Sequence, residues 1–353
     1  MSTSFGSDNH SGVNPLILKA IEKANNGYAV AYGDDPYTMK ILHNIEKLLG
    51  GNCKAAFVLN GTGANVVALS TFLNGGCCIL APKSAHILED ECGAVEKFSG
   101  CKIIPLECTA GKVSPEAVKE QFELLVGDQH KSQPAILSIS QPTEFETLYT
   151  IEEIKALADL VHKNGCYLHI DGSRISNAAA AMGKSIKEIV ADTGADVLSF
   201  GGTKNGMLMG EAVVVLNAKR NKVFAERLKF IRKQATQLYS KNRFIAAQFD
   251  AYLKDDLYLK MAGHSNSMAK LLEKELKKIK GVKQTKKVET NAVYISLINL
   301  SEEKINELQR KYNFHIWTPS IKEVRLMCSW NTTEADIQEI VSDFRECFQK
   351  QAF

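Results

Sequence analysis

The sequence predicts an α/β protein: a mostly parallel seven-stranded sheet with helices on both faces, followed by a smaller C-terminal α+β domain. Over the first two-thirds of the 353 residues, short apolar runs rich in β-branched residues alternate with helical patterns. Strands that alternate with crossover helices form parallel sheets that are covered on both faces. The remaining third alternates differently, which indicates a second and smaller unit.

Seven apolar runs are predicted strands: Ala55–Leu59, Cys77–Ala81, Lys102–Leu106, Ala135–Ser140, Tyr167–Asp171, Val197–Phe200 and Ala212–Leu216. The last run follows its neighbour after a short glycine-containing link. Because that link is too short for a crossover helix, we expect Ala212–Leu216 to pair antiparallel. Helix-like spacing occurs between other runs, at Ala64–Leu73, Ser114–Leu125, Ile151–Asn164 and Ser185–Thr193.

A long helical stretch without good turn signals, roughly Ala218–Ala262, leads away from the predicted sheet. The part that follows has five predicted elements: helices Met268–Lys280, Ser301–Tyr312 and Thr333–Phe348, and strands Ala292–Leu297 and Val324–Met327. We place the domain boundary near residue 255. The large domain then covers residues 1–254, including an N-terminal arm, and the small domain covers residues 255–353.

Composition and charge argue against several classes of partner. The net charge is only +3, and no Lys/Arg cluster is interleaved with aromatic residues, so we expect no nucleic-acid partner. No apolar stretch approaches the ~20 residues that span a bilayer, and the first residues lack the features of a secretory signal, so we expect no membrane partner. Nine scattered cysteines without a CxxC pair indicate reduced thiols in the cytoplasm and no metal site.

Two predicted strand ends carry the residues that pyridoxal phosphate chemistry requires. HIDGSR delivers Asp171, and SFGGTK delivers Lys204, to one edge of the sheet. A lysine holds this cofactor covalently, and an acid keeps its pyridine nitrogen protonated so that the ring accepts electrons. Asp171 as a helix cap or in a salt bridge to Arg174, and Lys204 as a solvated lysine, are the alternatives. Their joint placement with the glycine loop described next favours a ligand.

The glycine loop is NGTGAN, Asn60–Asn65, which follows a strand and opens a helix. Backbone amides at the start of a helix bind anions, so Gly61, Thr62 and Gly63 fit a phosphate group. A strand-to-helix turn that needs glycine for its backbone angles is an equal alternative.

His86 is the histidine, among eight, that we place in a loop at the carboxyl edge of the sheet. An imidazole there could stack on the cofactor ring and carry a proton near physiological pH, whereas a surface or capping histidine is the alternative. His169 lies on the same strand as Asp171 and faces the same side. It is deeper in the sheet, so we expect it to be structural.

Arg174 and Arg325 are candidates for binding a carboxylate, because a planar guanidinium can hold one through two hydrogen bonds. Arg325 lies within an apolar strand, where its charge requires a buried partner. For each arginine, a structural ion pair is the alternative.

Taken together, these segments resemble low-specificity L-threonine aldolase, in the β-eliminating lyase group with the aspartate-aminotransferase fold (pyridoxal-phosphate fold type I). The resemblance runs from about Phe5 to about Trp330, with the motifs in the family's order. The motifs are FGSDN, YGDDPYT, NGTGAN, HILEDECGA, QPTE, HIDGSR, FGGTKNG and VRL.

The resemblance implies roles for individual residues. Lys204 matches the lysine that binds pyridoxal 5'-phosphate, Asp171 the partner of its pyridine nitrogen, and His86 the histidine that stacks on its ring. The phosphate loop corresponds to Gly61, Thr62 and Gly63. The substrate carboxylate would be held by Ser7, Arg174 and Arg325. Tyr32 and, less closely, Lys233 match positions that reach the neighbouring subunit's site, which implies a homo-oligomer, either a dimer or a tetramer.

The chain also departs from the family pattern. Many members carry a second active-site histidine in the segment equivalent to Gln141–Thr143, and here there is none. Phe145–Thr147 replaces a more usual glycine-containing turn. His86, or a water molecule that it positions, is then the only obvious base.

The function that the resemblance implies is cleavage of L-threonine or L-allo-threonine, with release of glycine and an aldehyde. Racemisation or β-elimination of an amino acid with the same cofactor is the first alternative, because the fold and the cofactor loops are shared across these reactions. A non-catalytic scaffold is a remote alternative, since such a protein would be expected to have lost Lys204 or Asp171. The preferred substrate and the stereochemistry at its β-carbon stay open.

Overall fold

The large sheet has the predicted mixed topology. A computed structural model describes residues 3–349. Its first seven strands are β1 (Cys53–Val58), β2 (Cys77–Pro82), β3 (Lys102–Leu106), β4 (Gln133–Ser140), β5 (Tyr167–Gly172), β6 (Val197–Phe200) and β7 (Glu211–Leu216). They lie in the order β1-β7-β6-β5-β4-β2-β3. Strands β2 to β6 pair in parallel, and β7 is antiparallel to both of its neighbours. The predicted fold class and the antiparallel pairing of β7 are thus confirmed.

Helices lie on both faces of this sheet and around the smaller one. In the described part of the chain they are α1 (Pro15–Ala24), α2 (Pro36–Leu48), α3 (Gly61–Phe72), α4 (His86–Glu89), α5 (Ala94–Ser99), α6 (Pro115–Leu125), α7 (Ile151–Lys163), α8 (Ile175–Met182), α9 (Ile186–Ile189), α10 (Lys222–Gln234), α11 (Arg243–Leu253), α12 (Leu257–Leu276), α13 (Glu302–Tyr312) and α14 (Glu334–Gln349).

Alternating side chains of the strands build two cores, one on each face. In β1, Ala55 and Phe57 belong to the core that contains residues of α2, α6, α7, α8 and α11, whereas Ala56 and Val58 belong to the core that contains residues of α3, α5 and α10. Successive side chains of a strand point to opposite faces, so a strand covered on both sides is apolar at every position. This is why the strands read as continuous apolar runs.

Three helix predictions were wrong. The helix predicted at Met268–Lys280 is the C-terminal part of α12, which begins at Leu257 and ends at Leu276. The stretch Ala218–Ala262 is not one helix, because α10, α11 and α12 are separated by breaks. The second break contains Asp255 and Asp256, whose φ angles of 51° and 55° cannot continue a helix. The crossover predicted at Ser185–Thr193 consists of the short α9 and a 3-10 turn, and the longer helix of that connection is α8.

The small unit has an antiparallel sheet with its own core. Its strands are β8 (Lys283–Gln284), β9 (Ala292–Ser296), β10 (His315–Thr318) and β11 (Glu323–Met327), in the order β10-β11-β9-β8. Helix α12 joins the two units, because Met261 lies in a core of the large sheet and Leu272 lies in the small one. We therefore keep the boundary near residue 255 as a proposal.

The N-terminal segment is fixed in this small unit. Phe5 is fully buried in the small core, its N–H donates to the carbonyl oxygen of Tyr312, and its carbonyl oxygen accepts from Met327 N–H, both at 2.8 Å. The segment then leads towards the large sheet, where α1 packs against α11. None of the helices within residues 3–349 is long and apolar enough to cross a membrane.

Candidate functional site

The carboxyl ends of several strands of the large sheet meet around Lys204. A cavity of about 370 Å³ is lined there by Asn9, Leu59, Asn60, Gly61, Thr62, His86, Glu91, Ser173, Thr203, Lys204, Leu208, Met209 and Glu211. A second cavity of about 30 Å³ shares Lys204, Ser173 and His86 with it, and also contacts Ser140, Pro142, Thr143, Glu144, Asp171 and Arg174. Parallel strands bring their following loops to one edge, which explains why residues so far apart in sequence meet here.

Lys204 lies in a 3-10 turn, Thr203–Asn205, between β6 and β7. The preceding glycines allow close packing of this turn: a side chain on Gly201 would meet backbone atoms of Ser173 at 2.3 to 2.6 Å. Burial and the positive charge of Arg174 lower the pKa of the Lys204 ammonium. The amine is therefore more readily deprotonated than an exposed lysine, as a nucleophile requires.

Asp171 stands near the end of β5 as a buried, fully hydrogen-bonded carboxylate. Its Oδ1 accepts from Ser173 N–H at 2.9 Å and from Ser173 Oγ at 2.7 Å, and its Oδ2 accepts from Asn65 Nδ2 at 2.8 Å. Burial raises the pKa of Asp171, but the hydrogen bonds from Ser173 and nearby positive charges outweigh it, so the pKa is lowered. A fixed negative charge at this position suits a cationic ligand group. The alternative salt bridge to Arg174 is wrong.

His86 begins α4 and is oriented by a buried carboxylate. Its Nδ1 lies 2.8 Å from Glu91 Oε1, which also accepts from Asn65 Nδ2 at 2.8 Å. The hydrogen bond to Glu91 raises the pKa of His86, although burial opposes this shift. His169, by contrast, is fully buried between Ser138 Oγ and Ser199 Oγ, as expected for a structural residue.

The glycine loop forms the first turn of α3. Asn60 caps this helix, because its Oδ1 accepts from Gly63 N–H at 2.7 Å, while Gly61 and Thr62 line the larger cavity. A side chain at Gly63 would displace the terminal amide of Gln237, since an added Cβ would lie 2.3 Å from it. The loop thus presents the positive end of a twelve-residue helix to the cavity.

Arg174 is held by two carboxylates of the protein. Its Nε and Nη2 donate to Asp8 at 2.6 and 2.9 Å, and its Nη1 lies 3.3 Å from Glu146 Oε1. Both acids are buried, and Glu146 adopts a φ of 59°, at the turn where relatives were expected to carry glycine. The structural ion pair considered as an alternative for Arg174 is therefore present. Arg174 nevertheless also lines the smaller cavity.

Neither Arg325 nor Ser7 lines either of the two cavities. Arg325 projects from β11, where its Nη2 donates to Gly6 O at a long 3.4 Å and its guanidinium carbon lies 4.8 Å from the centre of the Trp317 ring. Its Nε is buried without a hydrogen-bond partner. Ser7 Oγ accepts from Asn9 N–H at 3.2 Å. Within the described residues, Arg325 is thus an arginine with unused hydrogen-bonding capacity.

Tyr32 and Lys233 are not brought to this chain's own site. Tyr32 is about half exposed, has a φ of 66°, and donates its backbone N–H to Ser240 O at 2.8 Å. Lys233 Nζ lies 5.4 Å from the centre of the Tyr32 ring, so the two residues are neighbours. Neither lines a cavity that contains Lys204.

Several acids of the site were not predicted from the sequence. Glu144 and Glu211 line the cavities, and burial raises the pKa of each to about 7. Asp8 and Glu91 hold Arg174 and His86. Asp8, Glu91 and Glu144 lie within the motifs FGSDN, HILEDECGA and QPTE, so the motifs pointed to the right segments without assigning these side chains. No group of three or more metal-binding side chains occurs between residues 3 and 349.

Known proteins resemble this chain over almost its whole length. A family model described as "Beta-eliminating lyase" matches residues 4–298. Low specificity L-threonine aldolases from a Pseudomonas strain and from Pseudomonas aeruginosa are 39% and 37% identical to it, over 98% and 97% of this chain and 97% and 96% of their own lengths. The solved structure of a threonine aldolase from Leishmania major has a TM-score of 0.90 at 26% identity and covers 98% of this chain and 99% of that one.

Proposed function

This chain belongs to the β-eliminating lyase family, and on that premise we propose that it binds pyridoxal 5'-phosphate and cleaves L-threonine and L-allo-threonine to glycine and acetaldehyde. The observation that carries the proposal is the meeting of Lys204, Asp171, His86 and the start of α3 around the two adjoining cavities. The near full-length similarity to low specificity L-threonine aldolases supports the choice of reaction. We keep the cytoplasmic location predicted from the sequence as part of this proposal.

The residues present fit the cofactor. Lys204 would hold it covalently, and the ionised Asp171 would pair with its pyridine nitrogen. The start of α3 at Gly61 and Thr62 would receive its phosphate, whereas the Gly63 amide already donates to Asn60 Oδ1. His86 would stack on the cofactor ring. Bound pyridoxal phosphate supplies an electron-accepting ring next to the α-carbon of the amino acid.

The protein's own contribution to cleavage is to orient the amino acid. We propose that Arg325 and Ser7, together with Arg174, hold the substrate carboxylate. The unused Nε of Arg325 supports this, because a buried guanidinium N–H without a partner gains a charge-assisted hydrogen bond when a carboxylate arrives. Holding the carboxylate fixes which bond of the α-carbon is weakened, and that selects the reaction.

We further propose that the chain forms at least a dimer, in which Tyr32 and Lys233 reach the neighbouring subunit's site. Exposed apolar side chains are frequent along residues 16–39: Leu16, Leu18, Tyr28, Val30, Tyr32 and Met39. An excess of exposed apolar side chains is typical of protein interfaces. Sedimentation measurements on the cofactor-loaded protein would test this, and a monomer at micromolar concentration would contradict it.

The decisive experiment is to measure aldehyde and glycine released from L-threonine and L-allo-threonine by the purified protein with added pyridoxal phosphate. We expect equimolar acetaldehyde and glycine, and no turnover or Schiff-base absorbance for Lys204→Ala. Absence of aldehyde despite a Schiff-base spectrum would reject cleavage and point to racemisation or β-elimination. Retained turnover in the lysine variant would remove Lys204 from its role.

A further inference from the structure

Glu144 is a buried carboxyl group of the site that has one oxygen in use and one without a partner. Its Oε1 accepts from Ser140 Oγ at 2.6 Å and from His86 N–H at 3.1 Å. Its Oε2 is buried and has no hydrogen-bond partner. Leaving a buried polar atom unpaired is costly, so a buried carboxyl oxygen without a partner indicates a place where a ligand group binds.

The smaller cavity next to Glu144 has room for such a group. Its volume of about 30 Å³ exceeds the roughly 10–15 Å³ that a cavity needs to hold one water molecule. Lys204 and Asp171 line the same cavity, so it adjoins the place where the reacting carbon atoms of a substrate would lie. A small hydroxyl-bearing group fits this space.

The other carboxylates of the site are committed elsewhere. Glu211, whose pKa burial also raises to about 7, accepts from Gly202 N–H. Asp171 is held by Ser173 and Asn65. Glu91 is hydrogen-bonded to Nδ1 of His86, which takes up that ring nitrogen, and this hydrogen bond raises the pKa of His86. The Glu146 carboxylate lies against the guanidinium of Arg174. Glu144 instead receives its two hydrogen bonds from neutral donors, and its burial raises its pKa to about 7.

On the basis of the cleavage reaction above, we propose that Glu144 accepts the proton of the substrate's β-hydroxyl group at its Oε2. The O–H bond breaks as its proton moves to Glu144, and its electron pair forms the C=O bond of the aldehyde. The Cα–Cβ bond breaks, and its electron pair stays on the α-carbon, next to the electron-accepting cofactor. A proton from solvent then completes glycine at the α-carbon, and Glu144 releases its own proton to solvent, so atoms and charge balance.

Glu144→Gln separates this role from a structural one. The amide oxygen keeps the acceptor for Ser140 and His86 N–H, but the side chain no longer titrates. Loss of a general base typically lowers the rate by a factor of about 100 to 10,000, and we expect a fall of this size in the kcat for L-threonine cleavage. Exchange of the α-hydrogen of glycine in D2O needs the same loaded site but has no β-hydroxyl group, so it should continue.

The pH profile supplies a second readout. We expect the acid limb of kcat to follow a group with a pKa near 7 and to disappear in Glu144→Gln. The titratable and charged groups around Glu144 are His86, Asp171, Arg174 and Lys204, with Tyr149 and Tyr294 on neighbouring elements. Ser140→Ala distinguishes the titration of Glu144 from the titration of these groups, because Ser140 Oγ donates to Glu144. Removing the Ser140 hydrogen bond should raise the pKa of Glu144 and shift the limb to higher pH.

The outcomes are distinct. Wild-type rate and pH profile in Glu144→Gln would overturn the proposal, and so would equal loss of cleavage and glycine exchange in the folded variant. Absence of aldehyde from the wild type would reject the proposed function itself. If Glu144→Gln does not fold, the shift in Ser140→Ala decides. Infrared spectra of the cofactor-free wild type should show a carboxyl band that titrates near pH 7 and moves in Ser140→Ala.

Discussion

Arg174 and Arg325, the two arginines proposed to hold the substrate carboxylate, belong to different sheets. They differ in whether carboxylates of the protein pair with their charge. Arg174 follows β5 of the large sheet and is enclosed by the carboxylates of Asp8 and Glu146. Arg325 lies on β11 of the small sheet, stacks on Trp317, and leaves its Nε unused. A charge that is satisfied inside the protein stabilises the fold, whereas one with free donors is available to a ligand. We therefore expect Arg174 to contribute to stability as well as to carboxylate binding, and Arg325 to contribute chiefly to carboxylate binding.

The largest expected effect is on stability, from Arg174→Met. This change leaves the carboxylates of Asp8 and Glu146 buried without their guanidinium, and breaking such a pair costs about 3–5 kcal/mol. Urea unfolding of the cofactor-free protein would measure the loss. Adding Asp8→Asn and Glu146→Gln to the same chain should recover part of it, because those changes remove the uncompensated charges. Arg325→Met should lose no more than about 1 kcal/mol, and equal losses for the two arginines would contradict the comparison.

The pH dependence of the free energy of unfolding distinguishes the Arg174 cluster (Arg174, Asp8 and Glu146) from His169 in the interior of the large sheet. Burial opposes ionisation of Asp8, but the charge and hydrogen bonds of Arg174 outweigh it and lower its pKa. The stability that Asp8 provides is therefore present above its unfolded pKa of about 3.9 and is lost only as the pH falls below that value. Between about pH 5 and 7, the contribution of Asp8 to the free energy of unfolding should therefore stay constant.

Protonation of His169 should make the free energy of unfolding depend on pH between about 6.5 and 4. Burial lowers its pKa to about 4, so between about pH 6.5 and 4 the unfolded chain binds a proton that the folded chain does not. The free energy of unfolding therefore decreases as the pH is lowered through this range, by about 3 kcal/mol in total. The difference in unfolding free energy between pH 7 and 4.5 should shrink in His169→Gln relative to wild type. An unchanged difference would show that His169 is not the responsible group.

The smallest of these effects concerns the binding of substrate. Arg325→Met should raise the KM for L-threonine by about 10- to 100-fold, because a hydrogen bond to a charged group is worth about 1.5–3 kcal/mol. The fold should be unaffected. Arg310→Met is the matched control, since Arg310 is exposed and donates only to the carbonyl oxygen of Asn306. An unchanged KM in Arg325→Met would mean that Arg174, not Arg325, binds the substrate carboxylate, and it would contradict the contrast between the two arginines.

Much of the fold could be predicted because strands buried on both faces are long apolar runs with little ambiguity. The breaks between α10, α11 and α12 were missed for a local reason. The connection between α10 and α11 contains no Gly or Pro, and the second break uses positive φ at Asp255 and Asp256, which few non-glycine residues adopt.

The candidate site was predictable where it follows from strand order. Lys204, Asp171, His86 and Gly61 meet because the carboxyl ends of their strands share one edge. Asp8 could not be placed beside Arg174 in this way, since 166 positions separate them and the contact depends on the small sheet, which fixes the N-terminal segment. Glu144 was missed because its burial, and so its raised pKa, depends on packing that a linear pattern does not contain.

The anchoring of Phe5 between Tyr312 and Met327 has a consequence for how the protein is made. On the ribosome, the N-terminal segment emerges first, yet its two backbone partners are synthesised more than three hundred positions later. The large sheet can form while Phe5 and Asp8 are still free, and during that time Arg174 has Glu146 but not Asp8 as a counter-charge. The N-terminal segment can be fixed only after β11 is made, because Met327 in that strand donates to Phe5. We therefore expect Asp8 to join Arg174 late in biosynthesis.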